Sequence, residues 1–458
     1  MNAGKVFIEQ IVYPAMEKLK GNKIRSYLQE LKLSQEFTRQ MLEELQRERL
    51  RKLLRHCIEN VPAYRQFRHL AQKIDVSPYA ALQEFPVLTK SHFTRHADEY
   101  LAQGVDKAAL ICNRTGGSTG EPVRFYLDRV TVEHYEAARW RGLSWWGIGL
   151  GDPSVMIWGS PIEMTQNQSR VYRLKERLLK NRIIIPAYAL DPGKAGYYVD
   201  LLSSFAPEYI YGYASALHAF AQLMNSQGLR ITKHLKGVVS TAETLFDDQR
   251  TVIKNSFSAR VINEYGARDA GIIAYQCPSG SMHVTEENLV VETVDIETGN
   301  RVENGRSGLV TVTDLHNYSM PRLRYQLGDV ARLSNESCKC GKQLRVLQAI
   351  EGREDDIFVS KVGKLVHGHF WNHIARNMHG IKQFQLVQHD RENVTLKIVK
   401  NEKFKREEVD YFIHQIRDVL GDSNINVVYC EGIEPTASGK RRYAVREFPI
   451  LLERVNER

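Results

Sequence analysis

"NRTGGSTGEP", residues 113–122, sets three glycines and three hydroxyl side chains, Thr115, Ser118 and Thr119, within ten positions. Glycine lets backbone N–H groups close on an anion and Ser/Thr hydroxyls add donors, so the stretch reads as a phosphate-holding loop. A plain surface turn is the competing reading. The lysine-bearing template G-x-x-x-x-G-K-[ST] does not fit, because Gly120 is followed by Glu121 and Pro122. The segments around the loop therefore decide both its meaning and the fold.

From about 100 to 350, short apolar runs ("SVMIWGSP", "YIYGYAS", "GVVSTAE") end in Gly/Ser/Thr turns and alternate with helical stretches such as "ALHAFAQLMNSQ". That alternation predicts an α/β body, with ligands where strands end. Upstream, apolar residues at helical spacing in "QEFTRQMLEELQRERLRKLLRHCIENV" predict a helical segment over residues 1–60; its basic cluster around Arg47–Arg55 reads as a solvated face. After "EGREDDIF" the pattern changes to a hairpin ("KQFQLVQ", turn "HDRE", "NVTLKIV"), a helix ("KREEVDYFIHQIRDVLG"), a strand and the polar loop "EPTASGKRR". We therefore expect a large α/β domain over 61–354 and a small α+β domain over 355–458.

The chain has 458 residues and a net charge of +9, compatible with an anionic membrane face or anionic small substrates, and it carries no nucleic-acid motif. It has no long apolar run, and its N-terminus carries acids and a proline where a signal peptide is apolar. We expect a cytoplasmic protein without a transmembrane segment, peripheral membrane contact remaining open. Six cysteines in so long a chain point to thiols or metal ligands rather than a disulfide scaffold.

Four more segments carry chemistry. "NEYGARDAG" (263–271) puts an aromatic, a glycine and an acid in a tight turn; "RYQLGDV" (324–330) ends on Gly328-Asp329. "EGREDD" (351–356) offers Arg353 and Asp355 at the domain junction, and "PTASGK" (435–440) holds Lys440 on a Gly/Ser loop. Alone, each is as well read as a turn, a strand end, a linker or a surface lysine.

In this order and spacing the motifs resemble the adenylate-forming superfamily, most closely its phenylacetate-CoA ligase-like branch with the capsule-polysaccharide-biosynthesis subgroup. The resemblance spans about 50–445. It implies a large domain with ATP and acid sites, a small domain that rotates about a hinge, and a carboxylate joined to AMP with loss of pyrophosphate. The acyl group then passes to CoA or to an amine, such as an amino acid or amino sugar. By resemblance, Thr115, Gly116, Gly117, Ser118, Thr119 and Gly120 hold ATP phosphates, while Ala242, Glu243, Thr244, Tyr265 and Gly266 border adenine. Asp329 and Arg353 meet the ribose, Asp355 is the hinge, and Lys440 is catalytic. Asp269 stands where the family usually has a Mg²⁺-holding Glu, and Arg268 where it has a small hydroxyl residue. Tyr135, Trp140, Tyr211 and Tyr213 are candidates for the acyl pocket, although aromatics at such spacing are also ordinary core.

Cys277 and His283 in "CPSGSMH", with Cys338 and Cys340 in "CKCGK", make a closed structural-zinc set by ligand type, against a reading as free thiols; relatives on the branch carry zinc there. The departures at Arg268 and Asp269 leave a second possibility, a zinc-containing scaffold that has lost catalysis.

Overall fold

Eleven strands form the central sheet of the computed structural model, which describes residues 3–114, 124–158, 170–187, 190–231, 233–296, 298–353, 356–375, 378–434 and 442–448. One half is parallel: β4 (Arg182–Pro186), β3 (Ser154–Trp158), β5 (Tyr209–Tyr213), β6 (Gly237–Thr241) and β7 (Val261–Ala267) lie side by side. These are the short apolar runs of the sequence, and helices connect them, as parallel crossovers require. At β7 the sheet turns antiparallel and continues through β8 (Gly271–Gln276), β9 (Met282–Val284), β13 (Val346–Arg353), β12 (Tyr325–Leu333), β11 (Ser307–Asp314) and β10 (Leu289–Val294).

The helix Arg129–Ser144 lies directly on β8, and glycines permit the approach. A Cβ on Gly142 would fall 2.2 Å from the Tyr275 ring, and one on Gly271 2.2 Å from the Tyr135 ring. Helix glycine thus faces strand tyrosine, and strand glycine faces helix tyrosine.

The N-terminal helices are fused to this body. Leu28 and Leu31 pack with Trp140, Leu143 and Tyr275, and Leu50, Leu53 and Leu54 join the main core. Arg141 and Glu287, both fully buried, pair at 2.8 Å, and Ser34 donates to the same carboxylate oxygen. The basic cluster on helix Arg39–Asn60 is not a uniformly solvated face: Arg49 donates to the Glu287 carbonyl and Arg55 pairs with Asp75.

Beyond the junction, β14 (Ile357–Val359) and β15 (Leu365–His367) form a hairpin. A four-stranded sheet follows in the order β18 (Asn424–Tyr429), β17 (Asn393–Lys400), β16 (Ile381–Gln388), β19 (Ala444–Arg446), with the helix Arg406–Leu420 burying Val409, Phe412 and Ile416 in its own core. Ile357, Val359 and Phe448 pack on Val294, Leu309 and Val330 of the large sheet. The small unit therefore sits on the antiparallel half. No helix among the described residues is long and apolar enough to cross a membrane.

Candidate active site

Three segments far apart in sequence meet at the antiparallel half of the sheet. Asp329 on β12 lies in register with Arg353 on β13, and the guanidinium reaches the carboxylate at 3.2 Å. The Tyr265 hydroxyl on β7 donates to the other Asp329 oxygen at 2.8 Å. Burial, then the Asp329 charge, pushes the Tyr265 phenol well above its ordinary range, so it stays protonated and donates. Each carboxylate oxygen keeps a lone pair for a further donor.

The β7–β8 turn carries Arg268, exposed, and Asp269, buried. The Asp269 side chain takes a hydrogen bond from Tyr325, and its carbonyl accepts from Arg322 at 2.5 Å. Asn113, at the root of the opening loop, donates to the Arg268 carbonyl at 3.3 Å. That root is a hairpin, β1 (Ile111–Arg114) paired antiparallel with β2 (Arg124–Leu127). Residues 115–120 lie outside the described residues, but Asn113 places the β1 stem of their loop beside the Arg268–Asp269 turn.

At the end of β6, Ala242 takes a left-handed backbone (φ 63°), a strained conformation for alanine. The next residue, Glu243, accepts from the Ser215 N–H at the start of helix Ala214–Ser226 at 2.8 Å. Two residues past Thr244, Phe246 meets Tyr443 of the small domain edge-on at 6.3 Å. Lys440 and Asp355 lie outside the described residues, yet both are bracketed: Arg442 pairs with Asp356 at 2.9 Å. The chain after Lys440 is thus fastened beside the junction.

The four acyl-pocket candidates have different immediate partners. Trp140 packs into the core with Leu28 and Leu31, and the Tyr135 hydroxyl donates to Asp314 at 2.5 Å. Tyr213 stacks on Trp158 at 4.2 Å, and Tyr211 donates to Glu264 at 2.5 Å. Glu264 was not singled out from the sequence. Its other neighbours are Thr241, which donates at 2.9 Å, and Arg139 at 3.8 Å. Burial pushes its carboxyl up against the pull of Arg139. The available signal was strand alternation: beside Tyr265, a carboxylate must face the opposite side, under the helix Arg129–Ser144. Arg322 was likewise missed, since nothing local marks a fully buried arginine.

The donor atoms of Cys277, His283, Cys338 and Cys340 all lie within 4.8 Å of one another. Cys277 and Cys338 sulfurs are 3.6 Å apart, and His283 Nε2 is 3.1 Å from Cys340 Sγ. A zinc tetrahedron with ordinary bond lengths has S···S edges of about 3.8 Å and N···S edges of about 3.6 Å, so these two edges fall within about half an ångström of it. His283 Nδ1 lies 3.1 Å from the Leu344 carbonyl, which orients Nε2 toward the sulfurs.

Comparison with known proteins bears on the family and the fold. Residues 358–447 match the family model described as the CapK C-terminal domain. Over 373 residues the chain is 25% identical to Protein CapK of Staphylococcus aureus, covering 81% of each. Over 331 residues it is 25% identical to phenylacetate-coenzyme A ligase of Thermus thermophilus, covering 70% of this chain and 72% of that one. A solved 2-hydroxyisobutyryl-CoA ligase, in the postadenylation state with 2-HIB-AMP, superposes over 90% of this chain and 91% of its own at TM-score 0.67 and 19% identity, a likeness of fold.

Proposed function

We propose that this chain, a member of the adenylate-forming superfamily on its phenylacetate-CoA ligase-like, CapK-containing branch, is an ATP-dependent acid ligase. It activates a carboxylic acid as the acyl-adenylate with release of pyrophosphate, then passes the acyl group to CoA or an amine. The observation that carries the proposal is the convergence of Tyr265, Arg353 and Asp329 from three strands, where the sequence motifs call for an adenosine site.

In this reading Asp329 accepts the ribose hydroxyls while Tyr265 and Arg353 hold its carboxylate in place. Glu243 and Thr244 border the base, and the loop 115–120 supplies N–H and hydroxyl donors to the departing phosphates. Mg²⁺ would neutralise those phosphates; a carboxylate at Asp269 suits a hard cation, once it turns away from Tyr325. Lys440 places an ammonium on the charge that develops as pyrophosphate leaves. Its reach is compatible: Tyr443 already touches Phe246, and three residues of chain span at most about 11 Å. The small domain then swings about Asp355 to admit the acceptor. Structural zinc on Cys277, His283, Cys338 and Cys340 would hold the loops behind the site. A place in surface-polysaccharide synthesis, in the cytoplasm, completes the proposal.

ATP–pyrophosphate exchange with a panel of carboxylic acids tests this directly. Exchange that requires one acid and Mg²⁺ establishes adenylation, and thioester or amide formation with supplied CoA or amine then identifies the acceptor. A broad panel that gives no exchange favours the scaffold that has lost catalysis.

A further inference from the structure

Away from the site, two neighbouring helical segments turn apolar side chains to solvent. In residues 3–20, Phe7, Ile11, Ala15 and Leu19 recur every four positions and are exposed, Phe7 at 54%, Ile11 at 57% and Leu19 at 86%. The turn Ile8–Val12 of this segment packs beside the helix Arg170–Lys180. On that second helix Leu174 and Leu178, again four apart, are 57% and 58% exposed. Four residues apart is one face of a helix, so each segment presents a stripe rather than scattered exposures.

Charge frames these stripes. At about 100° per residue, Lys175 flanks Leu174 and Leu178 on one side and Arg177 flanks them on the other; both lie at the surface. The two segments together hold eight basic and three acidic residues. Two of the acids are withdrawn: Glu176 is buried against Lys180 and Arg182, and Glu17 is buried against Arg25. The outward face is therefore apolar at its centre and positive at its rim.

We propose that these two faces together form a docking surface for an anionic membrane. A helix with leucines in its middle and lysine and arginine at its edges is built to lie in the interface plane, burying the apolar side chains while the cations meet lipid phosphates. Charge argues against a second copy of the chain as the occupant, because a two-fold contact would set each positive rim against its equal. The basic cluster of helix Arg39–Asn60, the other basic run in the N-terminal half, is tied up in pairs such as Arg55 with Asp75 and Arg47 with Glu44. The proposal does not depend on the ligase chemistry.

Flotation of the full-length protein with vesicles decides the matter. The protein should float with phosphatidylcholine vesicles containing phosphatidylglycerol, weakly with phosphatidylcholine alone, and less as salt is raised. Leu174→Asp with Leu178→Asp should lower binding on the order of ten- to a hundredfold, the loss expected when leucines leave an apolar phase. Phe7→Asp with Ile11→Asp should do the same. Melting temperatures should stay at the parent value, since these side chains touch solvent. Failure of the parent protein to float overturns the proposal. So does a leucine variant that binds as tightly as the parent, which would reduce the contact to charge alone. A parent dimer that the leucine variant converts to monomer, neither form floating, would assign the surface to self-association instead.

Discussion

Replacing His134 by Phe is expected to flatten the acid dependence of stability, by an amount the structure fixes. The His134 ring lies between Tyr27, at 4.0 Å, and His316, at 3.4 Å, both nearly parallel to it. Arg49 stands 3.3 Å from His316 Nε2. Burial, helped by Arg49, holds the His134 imidazole at about 3, and His316 is held well below its ordinary value by burial and by His134. In the unfolded chain each titrates near 6.5. Between those values the unfolded state binds protons that the native state does not, so stability is intact above about 6.5 and falls as pH drops, by about 1.4 kcal/mol per unit for each group. From pH 7 to pH 5 that is about 2 kcal/mol for His134, and His316 acts in the same direction. Phe keeps the ring stack and removes one titrating group. Urea unfolding at the two pH values should therefore show the parent losing about 2 kcal/mol more than His134→Phe. Equal losses would refute the reasoning. The stack also has a bearing on function, because it fastens the helices Ile24–Ser34 and Arg39–Asn60 to the helix that carries Tyr135 and Arg139.

Lys440→Ala should lower pyrophosphate exchange about 100- to 1000-fold while a supplied acyl-adenylate is still consumed by the acceptor; near-normal exchange would remove the lysine from the mechanism. Asp329→Ala should raise KM for ATP by about tenfold, the loss of a charged hydrogen-bonding partner, and an unchanged KM would place the ribose elsewhere. Metal analysis should find about one zinc per chain, and Cys338→Ser should lose the metal and melt at lower temperature; unchanged metal content in that variant would contradict the assignment. Arg141→Ala strands the buried Glu287 carboxylate and should cost about 3–5 kcal/mol in urea unfolding, against little effect if the N-terminal helices were loosely attached.

What the sequence disclosed was local. The hairpin around "HDRE", the helix Arg406–Leu420 and the strands ending in "YGYAS" and "STAE" follow from alternation, helical spacing and turn residues. Cys277 with His283, and Cys338 with Cys340, were visible as pairs for the same reason. What stayed hidden depends on strand order. Nothing local in β9 or in β13, more than sixty residues later, announces that the two are neighbours, and that pairing is what brings the two halves of the antiparallel region together. Buried charge was equally illegible: Arg141 reads as one more basic residue on a helix, and only its position over Glu287 shows that it locks the first helices to the body. Arg49 misled for the same reason, looking solvated while its guanidinium sits on the Glu287 carbonyl.

The position of the Cys/His cluster shows how so distant a feature would serve the proposed nucleotide site. Cys277 closes the turn after β8, whose Ala274 is paired with Tyr265; His283 lies on β9, paired with β13; Cys338 and Cys340 sit in the loop between β12 and β13. Tyr265 and Asp329 are each on the order of 10–15 Å of strand from the cluster, by a rise of about 3.3 Å per residue. A bound ion would therefore cross-link the far ends of the two strand pairs that carry the tyrosine and the aspartate. Their 2.8 Å hydrogen bond needs the pairs to keep register, and the antiparallel region already carries register shifts at Val330 and between Tyr265 and Gly266. A tie at the opposite end of a bulged sheet limits sliding without touching the ligand. Loss of the metal should thus weaken ATP binding before it unfolds the protein, which ties the Cys338→Ser and Asp329→Ala experiments to one another.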